Sequence, residues 1–176
     1  MILHYFKNKE NKDKKIANFL YLKTIDSSKK IINYDLFNKD KGFNITFEIN
    51  SILLITIFIG SRRKISKDWI NINQKLLKIF IKDLDHSMRL LGISDINIGK
   101  YVKFYTKKFF FRIKKYEGIY QYKDFNLFVE FIRKLQILNS NNNINILQNF
   151  FLDLKILLKR SQFLKNKKLL FNDLFK

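Results

Sequence analysis

The chain has 176 residues, of which 47% are hydrophobic, enough to pack the core of one ordinary domain. It contains no cysteine and only two histidines, which excludes disulfides, thiolate metal sites and cysteine nucleophiles. Its 35 lysines and arginines outnumber 15 acids, for a net charge of +20, but 29 of them are lysines in a composition rich in isoleucine and asparagine. Such a composition is typical of AT-rich genomes, so the charge is weak evidence for nucleic-acid binding, although it favours anionic partners.

The N-terminal part of the chain predicts two helices and a turn before a third, ambiguous element. An amphipathic helix is expected over residues 9–23, and Asp26 with the two serines after it predicts the cap of a second short helix that runs through Ile32. After a polar turn at residues 38–42, apolar and polar residues alternate over residues 43–50, which is the period of a strand. We predict a helix there nonetheless, because the sequence contains no second strand-like run to pair with it.

The most apolar segment, residues 45–59, is the one stretch that suggests a bilayer. A membrane span needs about 20 apolar residues, and this segment carries Glu48, an acid that costs about 3 kcal/mol near the centre of a membrane helix. We therefore expect a buried core helix. At the N-terminus, a short charged stretch has no long apolar region behind it, and Glu10 and Asp13 interrupt the basic residues, so neither a secretory signal nor a mitochondrial presequence is expected.

From Asp68 onward, apolar residues recur at helical spacing. The first such helix carries one apolar face, made of Leu76, Leu77, Phe80, Ile81, Leu84, Met88 and Leu91. Gly92 is expected in the left-handed conformation that ends this helix, and Ser94 or Asp95 is expected to cap the next one. The apolar arc of that next helix consists of Val102, Tyr105, Phe109, Ile113, Tyr116 and Tyr120. Its opposite side is basic and consists of Lys100, Lys103, Lys107, Lys108, Lys114 and Lys115.

The C-terminal third predicts two more helices and a tail. Asp124 is expected to cap a helix that carries Leu127, Phe128, Phe131 and Leu135. An asparagine-rich linker at residues 139–143 separates it from a long helix with the apolar face Leu147, Phe150, Phe151, Leu154, Leu157 and Leu158, and a basic run at residues 165–168 leads into a short amphipathic tail. The sequence thus predicts an all-α fold, a single-domain helical bundle of about six to eight helices.

The residues that carry catalysis in most enzymes do not form a recognisable site. His86 has Asp85 beside it but no partner at metal-ligand spacing, and the five glycines form no phosphate loop. Asp85 and Arg89, four residues apart, predict an ordinary intrahelical ion pair. We therefore predict no catalytic residues, no bound cofactor and no metal site, and a protein that is not an enzyme.

Residues 84–117 carry a more specific pattern. Nine of its residues follow one another in the order found in the ubiquinol–cytochrome c chaperone family, which this segment resembles. They are Asp85, Arg89, Gly92, Asp95, Lys100, Lys103, Arg112, Tyr116 and Glu117. The preceding apolar helix, which ends at Arg62 and Arg63, also resembles a family element. Three features depart from the family pattern: a glycine expected before Arg112 is replaced by Phe111, the apolar helix lacks an expected histidine, and residues 134–135 are lysine and leucine where the family has polar and aromatic residues. The resemblance spans about residues 42–138.

The resemblance implies a function and a division of the chain. Members of the family are non-enzymatic assembly chaperones for cytochrome b of the bc1 complex (complex III). The expected partners are therefore nascent cytochrome b and a partner assembly factor, at the cytoplasmic face of a bacterial inner membrane or the matrix side of a mitochondrial one. We expect a basic helical extension at residues 1–41, the family core at 42–138, and at 139–176 a linker with basic helices that pack on the core.

The residues expected to bind a client or partner lie around the predicted turn and on the basic side of the helix after it. They are Asp85, Arg89, Gly92, Asp95, Lys100, Lys103, Lys107, Phe110, Phe111, Arg112 and Tyr116. Three neighbouring phenylalanines at 109–111 cannot all point inward, so Phe110 or Phe111 beside lysines would suit an apolar client helix or a lipid headgroup layer. The simpler interpretation is that the turn only fixes the angle between two core helices and that the lysines are a solvated face.

Two other functions fit the composition. One is a basic module that binds RNA or the ribosome without a dedicated client, and the other is a peripheral membrane protein that uses residues 45–59 and their basic flank. Sequence-specific DNA binding is not expected, because Ile96, Asn97 and Ile98 occupy the place where a recognition helix carries base-reading side chains.

Overall fold

The computed structural model of the chain describes residues 2–38, 40, 42–62, 67–140 and 143–162. It confirms the all-α helical bundle, with six α-helices in these residues and a 3-10 turn between the fourth and the fifth. The α-helices are α1 (Ile2–Ile32), α2 (Phe43–Arg62), α3 (Lys67–Leu90), α4 (Asp95–Tyr116), α5 (Phe125–Lys134) and α6 (Ile144–Gln162), and the 3-10 turn is Ile119–Gln121. Within the described ranges there is no strand, only one isolated antiparallel bridge between Phe37 and Leu138. The three segments that the sequence predicts, 1–41, 42–138 and 139–176, stay a prediction.

Contacts group the chain into two compact units, each drawn from two stretches of sequence. The first unit consists of residues 1–22 and 65–115, and the second of residues 23–64 and 116–176. The first unit therefore contains α3 and most of α4, and the second contains α2, α5 and α6.

The centre of the second unit is α2, which packs most extensively on α6. Every residue of α2 from Phe47 to Ser61 is buried, and 83% of its most apolar 18-residue window is buried, as in the core helix of a folded domain. The helix predicted over this segment is confirmed, and its burial favours the predicted core helix over a membrane span. Length and composition alone would let α2 cross a membrane.

Aromatic rings fill the space between α5, α6 and the 3-10 turn. Phe128 lies 5.8 Å from Phe150 and 5.2 Å from Phe151, centroid to centroid, and Tyr122 lies 5.9 Å from Phe128. The Tyr122 hydroxyl, which is fully buried, forms a hydrogen bond with Thr56 of α2. Burial raises the pKa of Tyr122, and the Thr56 bond opposes that shift. Since the hydroxyl is paired, its burial adds no unsatisfied group to the core.

Two loops close the second unit. The amide of Asn38 donates to the Ile137 carbonyl at 2.9 Å, and the amide of Asn139 donates to the Leu36 carbonyl, also at 2.9 Å. These bonds tie the segment after α1 to the segment before α6.

Asp124 caps α5 as predicted, because its carboxylate accepts from the amides of Asn126 and Leu127 at 2.8 and 3.1 Å.

The first unit has its own core. On α3, Leu76, Phe80, Leu84 and Met88 are buried, as the predicted face requires, but Leu91 at the end of that face is exposed. Phe80 lies 4.9 Å from Phe109 of α4, centroid to centroid. The Tyr21 hydroxyl of α1 donates to the Asp83 carboxylate at 2.7 Å, and burial together with this bond raises the pKa of Tyr21. Together these contacts join α1, α3 and α4 within the unit.

Several predicted element boundaries are wrong. The first helix, expected over residues 9–23, begins at Ile2. The helix break expected at Asp26 does not occur, because α1 runs without interruption to Ile32 and the Ser28 hydroxyl donates to the Ile25 carbonyl at 2.9 Å. A serine that bonds back to its own helix in this way no longer competes as a cap. Tyr120 is not on α4, which ends at Tyr116, and lies instead in the 3-10 turn. The predicted basic run at residues 165–168 lies outside the described residues.

Candidate functional site

The turn between α3 and α4 lies within the segment that carries the family pattern, and hydrogen bonds fix the backbone at the end of α3. Gly92 has a φ of +76°, the left-handed conformation predicted for it. Its amide donates to the Arg89 carbonyl at 2.9 Å, and the amide of Ile93 donates to the Met88 carbonyl at 3.2 Å. This pair of bonds is the Schellman motif, which satisfies the last carbonyls of a helix.

Replacing Gly92 by alanine is expected to lower the free energy of unfolding by about 1 kcal/mol, because only glycine adopts a positive φ without steric cost. No heavy atom lies within 4 Å of the Cβ that the substitution adds, so the loss measures backbone strain alone. Urea denaturation checks the value. Gly99→Ala in α4 is the matched control and is expected to raise the free energy of unfolding, since its surroundings are equally open and its conformation is helical.

Arg89 holds the two sides of this turn together. Its Nε donates to the Asp85 carboxylate at 3.0 Å on its own helix, and its Nη1 donates to the Asp95 carboxylate across the turn. The hydrogen bond and charge of Asp85, followed by those of Asp95, raise the pKa of Arg89. Of the two residues predicted to cap α4, Ser94 lies at the cap position, because its carbonyl accepts from the amides of Asn97 and Ile98. Asp95 is the first residue of α4. We call residues 89–96 the α3–α4 corner.

The side of α4 that faces away from the core of the first unit carries both phenylalanines and lysines. Phe104, Phe110 and Phe111 are 58%, 46% and 56% exposed. At about 100° per residue, they fall within an arc of about 120° together with four exposed lysines. This α4 outer face consists of Lys100, Lys103, Phe104, Lys107, Phe110, Phe111 and Lys114. The expectation that Phe110 or Phe111 is exposed beside lysines is therefore confirmed for both.

The outer face carries positive charge without local neutralisation. From Ile96 to Tyr116 the chain has six lysines and one arginine and no acid. The Lys115 ammonium lies 5.4 Å from the centroid of the Phe111 ring, within reach of a cation–π contact. Lys108 lies outside the face: it is half-buried, its ammonium is 5.8 Å from the Tyr105 ring, and burial lowers its pKa. The lysines of the face can therefore attract an anionic surface without losing an existing ion pair.

The structure does not bring all the predicted binding residues to one surface. The corner and its flank contain Asp85, Arg89, Gly92 and Asp95. The α4 outer face contains Lys100, Lys103, Lys107, Phe110 and Phe111. Arg112 is only 6% exposed and Tyr116 is half-buried, with its ring 4.7 Å from that of Phe131, so the placement of these two on a docking surface is corrected. At about 100° per residue, Arg112 is turned by about 100° from Phe111, which puts it on the inner side of the helix.

Sequence reasoning missed three exposed apolar groups. Phe104 lies seven residues before Phe111 and hence on the same side of the helix, a spacing that could have identified it. Leu90 and Ile96, at the two ends of the corner, are 75% and 88% exposed. The exposure of Leu90 could have been predicted from the sequence, because Leu90 lies two residues after Met88 and therefore off the buried face of α3.

The second unit contains a cavity of about 290 Å³ between α1, α2 and α6. Its lining includes the apolar residues Ile31, Leu53 and Phe150 and the charged residues Lys30 and Asp153. Burial raises the pKa of Asp153. In the described part of the chain, no group of three or more histidine, aspartate or glutamate side chains is placed to hold a metal ion.

Comparison with known proteins gives one family and one related structure. The family model described as ubiquinol-cytochrome C chaperone matches residues 35–133, more than half of the chain. A solved structure described as the crystal structure of the Cbp3 homolog from Brucella abortus superimposes with a TM-score of 0.75 at 19% identity, covering 98% of this chain and 94% of that chain. That likeness establishes a shared fold. No curated protein matches the chain.

Proposed function

Because the chain belongs to the ubiquinol-cytochrome C chaperone family, we propose that it is a non-enzymatic assembly chaperone whose client is newly made cytochrome b, for incorporation into the bc1 complex. The match covers α2, α3 and α4, and with them the α3–α4 corner and the α4 outer face. We place this activity at the cytoplasmic face of a bacterial inner membrane or the matrix side of a mitochondrial one.

The observation that supports a polypeptide client is the exposure of three phenylalanines on one side of one helix. Aromatic side chains supply much of the energy at protein interfaces, and they rarely cluster on a surface that binds nothing. Phe104, Phe110 and Phe111 offer an apolar helix a row of rings to pack against. The lysines between them keep this surface soluble while it is empty. A nascent cytochrome b offers apolar helices of the kind that such a row fits.

The test is co-precipitation of cytochrome b with the tagged full-length chain from respiring cells. Wild-type chain is expected to enrich cytochrome b. The variant Phe104→Ser, Phe110→Ser, Phe111→Ser is expected to recover at least about tenfold less, since each buried aromatic contact at an interface contributes about 1 kcal/mol or more. These side chains are about half exposed, so the variant is expected to fold, which far-ultraviolet circular dichroism checks.

The matched control removes the same number of large apolar side chains from the second unit. Leu127, Ile144 and Leu152 are 50%, 49% and 46% exposed, and their triple serine variant is expected to recover cytochrome b as wild type does. Absence of cytochrome b from the wild-type precipitate overturns the proposed client. Recovery that survives the phenylalanine substitutions but falls steeply with salt would indicate charge-driven binding to RNA or the ribosome instead.

A further inference from the structure

We propose that the α3–α4 corner inserts into the headgroup layer of a bilayer that contains anionic lipids. This goes beyond the proposed function, which concerns the polypeptide bound by the α4 outer face. The corner and the face lie in the same unit but consist of different residues.

The corner exposes large aliphatic side chains in a cluster. Ile96 and Leu90 are the two most exposed large apolar side chains in the described part of the chain, at 88% and 75%, and Leu91 is 54% exposed. Single exposed leucines are ordinary on protein surfaces, but three large aliphatic side chains within seven residues form an apolar tip. A tip of this kind suits the boundary between headgroups and acyl chains.

Part of the backbone of the corner is already hydrogen-bonded, which lowers the cost of moving it out of water. Unpaired amides and carbonyls are what keeps most turns out of an apolar medium. Here the amides of Leu91, Gly92 and Ile93 all donate to carbonyls of α3. The Ser94 carbonyl accepts two amides from the first turn of α4, and the Arg89 guanidinium links Asp85 to Asp95. The tip therefore combines exposed aliphatic side chains with a backbone that is hydrogen-bonded at the end of α3 and at the start of α4.

The charges beside the corner select anionic lipids. Asp85 and Asp95 share Arg89 as their partner, which leaves one negative charge at the corner, and no acid follows until Glu117. The two nearest lysines of α4 outweigh that charge. Lys100 and Lys103 lie one and two turns after Ile96 and are exposed. Each such lysine near an anionic surface strengthens binding about fivefold. RNA would use the lysines and leave the aliphatic side chains without a partner, whereas a charged bilayer surface accommodates both.

Flotation of the full-length chain with vesicles tests the proposal. Wild type is expected to bind equimolar phosphatidylglycerol and phosphatidylcholine at least about tenfold more strongly than phosphatidylcholine alone. The variant Leu90→Gln, Leu91→Gln, Ile96→Gln is expected to lose at least about tenfold of the binding to anionic vesicles. The control variant Leu127→Gln, Ile144→Gln, Leu152→Gln removes equally large apolar groups from the second unit and is expected to bind as wild type does.

A second measurement reports insertion even if the triple variant folds poorly. Trp69 is the one tryptophan and is buried, so it adds a constant background. The variant Ile96→Trp is expected to shift its fluorescence emission to the blue when anionic vesicles are added. The proposal fails if wild type does not float, if the corner variant floats like wild type, or if the emission of the Ile96→Trp variant does not move.

The outcome separates the corner from the proposed client. The corner variant is expected to retain cytochrome b in co-precipitation, and the triple phenylalanine variant is expected to retain most of its vesicle binding. A corner variant that binds vesicles normally but loses cytochrome b would overturn the lipid assignment and make the corner part of the client surface.

Discussion

Replacement of Gly60 by alanine is expected to lower the free energy of unfolding by about 3 kcal/mol, because it overpacks the contact between α2 and α6. A Cβ at this position would overlap the Ser161 hydroxyl and lie 2.7 Å from Ser161 Cβ and 3.0 Å from the Leu158 carbonyl oxygen. The carbonyl belongs to the backbone of α6 and cannot rotate away. Urea denaturation, followed by circular dichroism, measures the loss.

Two further variants make this prediction specific. Gly118→Ala is the control, since nothing lies within 4 Å of the added Cβ, and it is expected to change stability little. Adding Ser161→Gly to Gly60→Ala removes the side chain that would clash and is expected to restore part of the loss. If Gly60→Ala unfolds at the wild-type urea concentration, α2 and α6 do not approach as closely as the structure has them.

Truncation of Phe128 to alanine is expected to cost about 3 to 5 kcal/mol, because it opens a cavity at the centre of the aromatic cluster. The ring is fully buried and contacts rings from α6 and from the segment before α5. The neighbouring Leu127 lies on a different side of the same helix and is half-exposed, so Leu127→Ala is expected to cost well under 1 kcal/mol. Thermal denaturation of the two variants measures the difference, and equal losses would contradict the cluster.

The sequence was sufficient where helical periodicity and capping chemistry agreed. Asp124 before α5 and Gly92 after α3 were found because each has one clear physical reason to stand at a helix end. The choice of helix for α2, against its alternating pattern, was right because an unpaired strand has nowhere to place its backbone hydrogen bonds.

The wrong predictions concern side chains that can make either of two kinds of contact. Ser28 resembles a cap in the sequence but bonds back to its own helix, and Asp95, the alternative to Ser94 as the cap of α4, pairs instead with Arg89 across the turn. Arg112 carries a charge that favours the surface, and only its angle on α4 places it inside. No packing requirement marks an exposed side chain such as Phe104, so its exposure had to be inferred from its spacing to Phe111.

The pairing of α2 with α6 has a consequence for the order in which the protein is made. About 80 residues separate the end of α2 from the start of α6. Ribosomes add about 5 to 20 residues per second, so α2 emerges on the order of ten seconds before the helix that covers it. During that interval the growing chain exposes a 20-residue apolar helix long enough to span a bilayer. The nascent chain therefore passes through a state in which it needs the same protection that we propose it gives to cytochrome b.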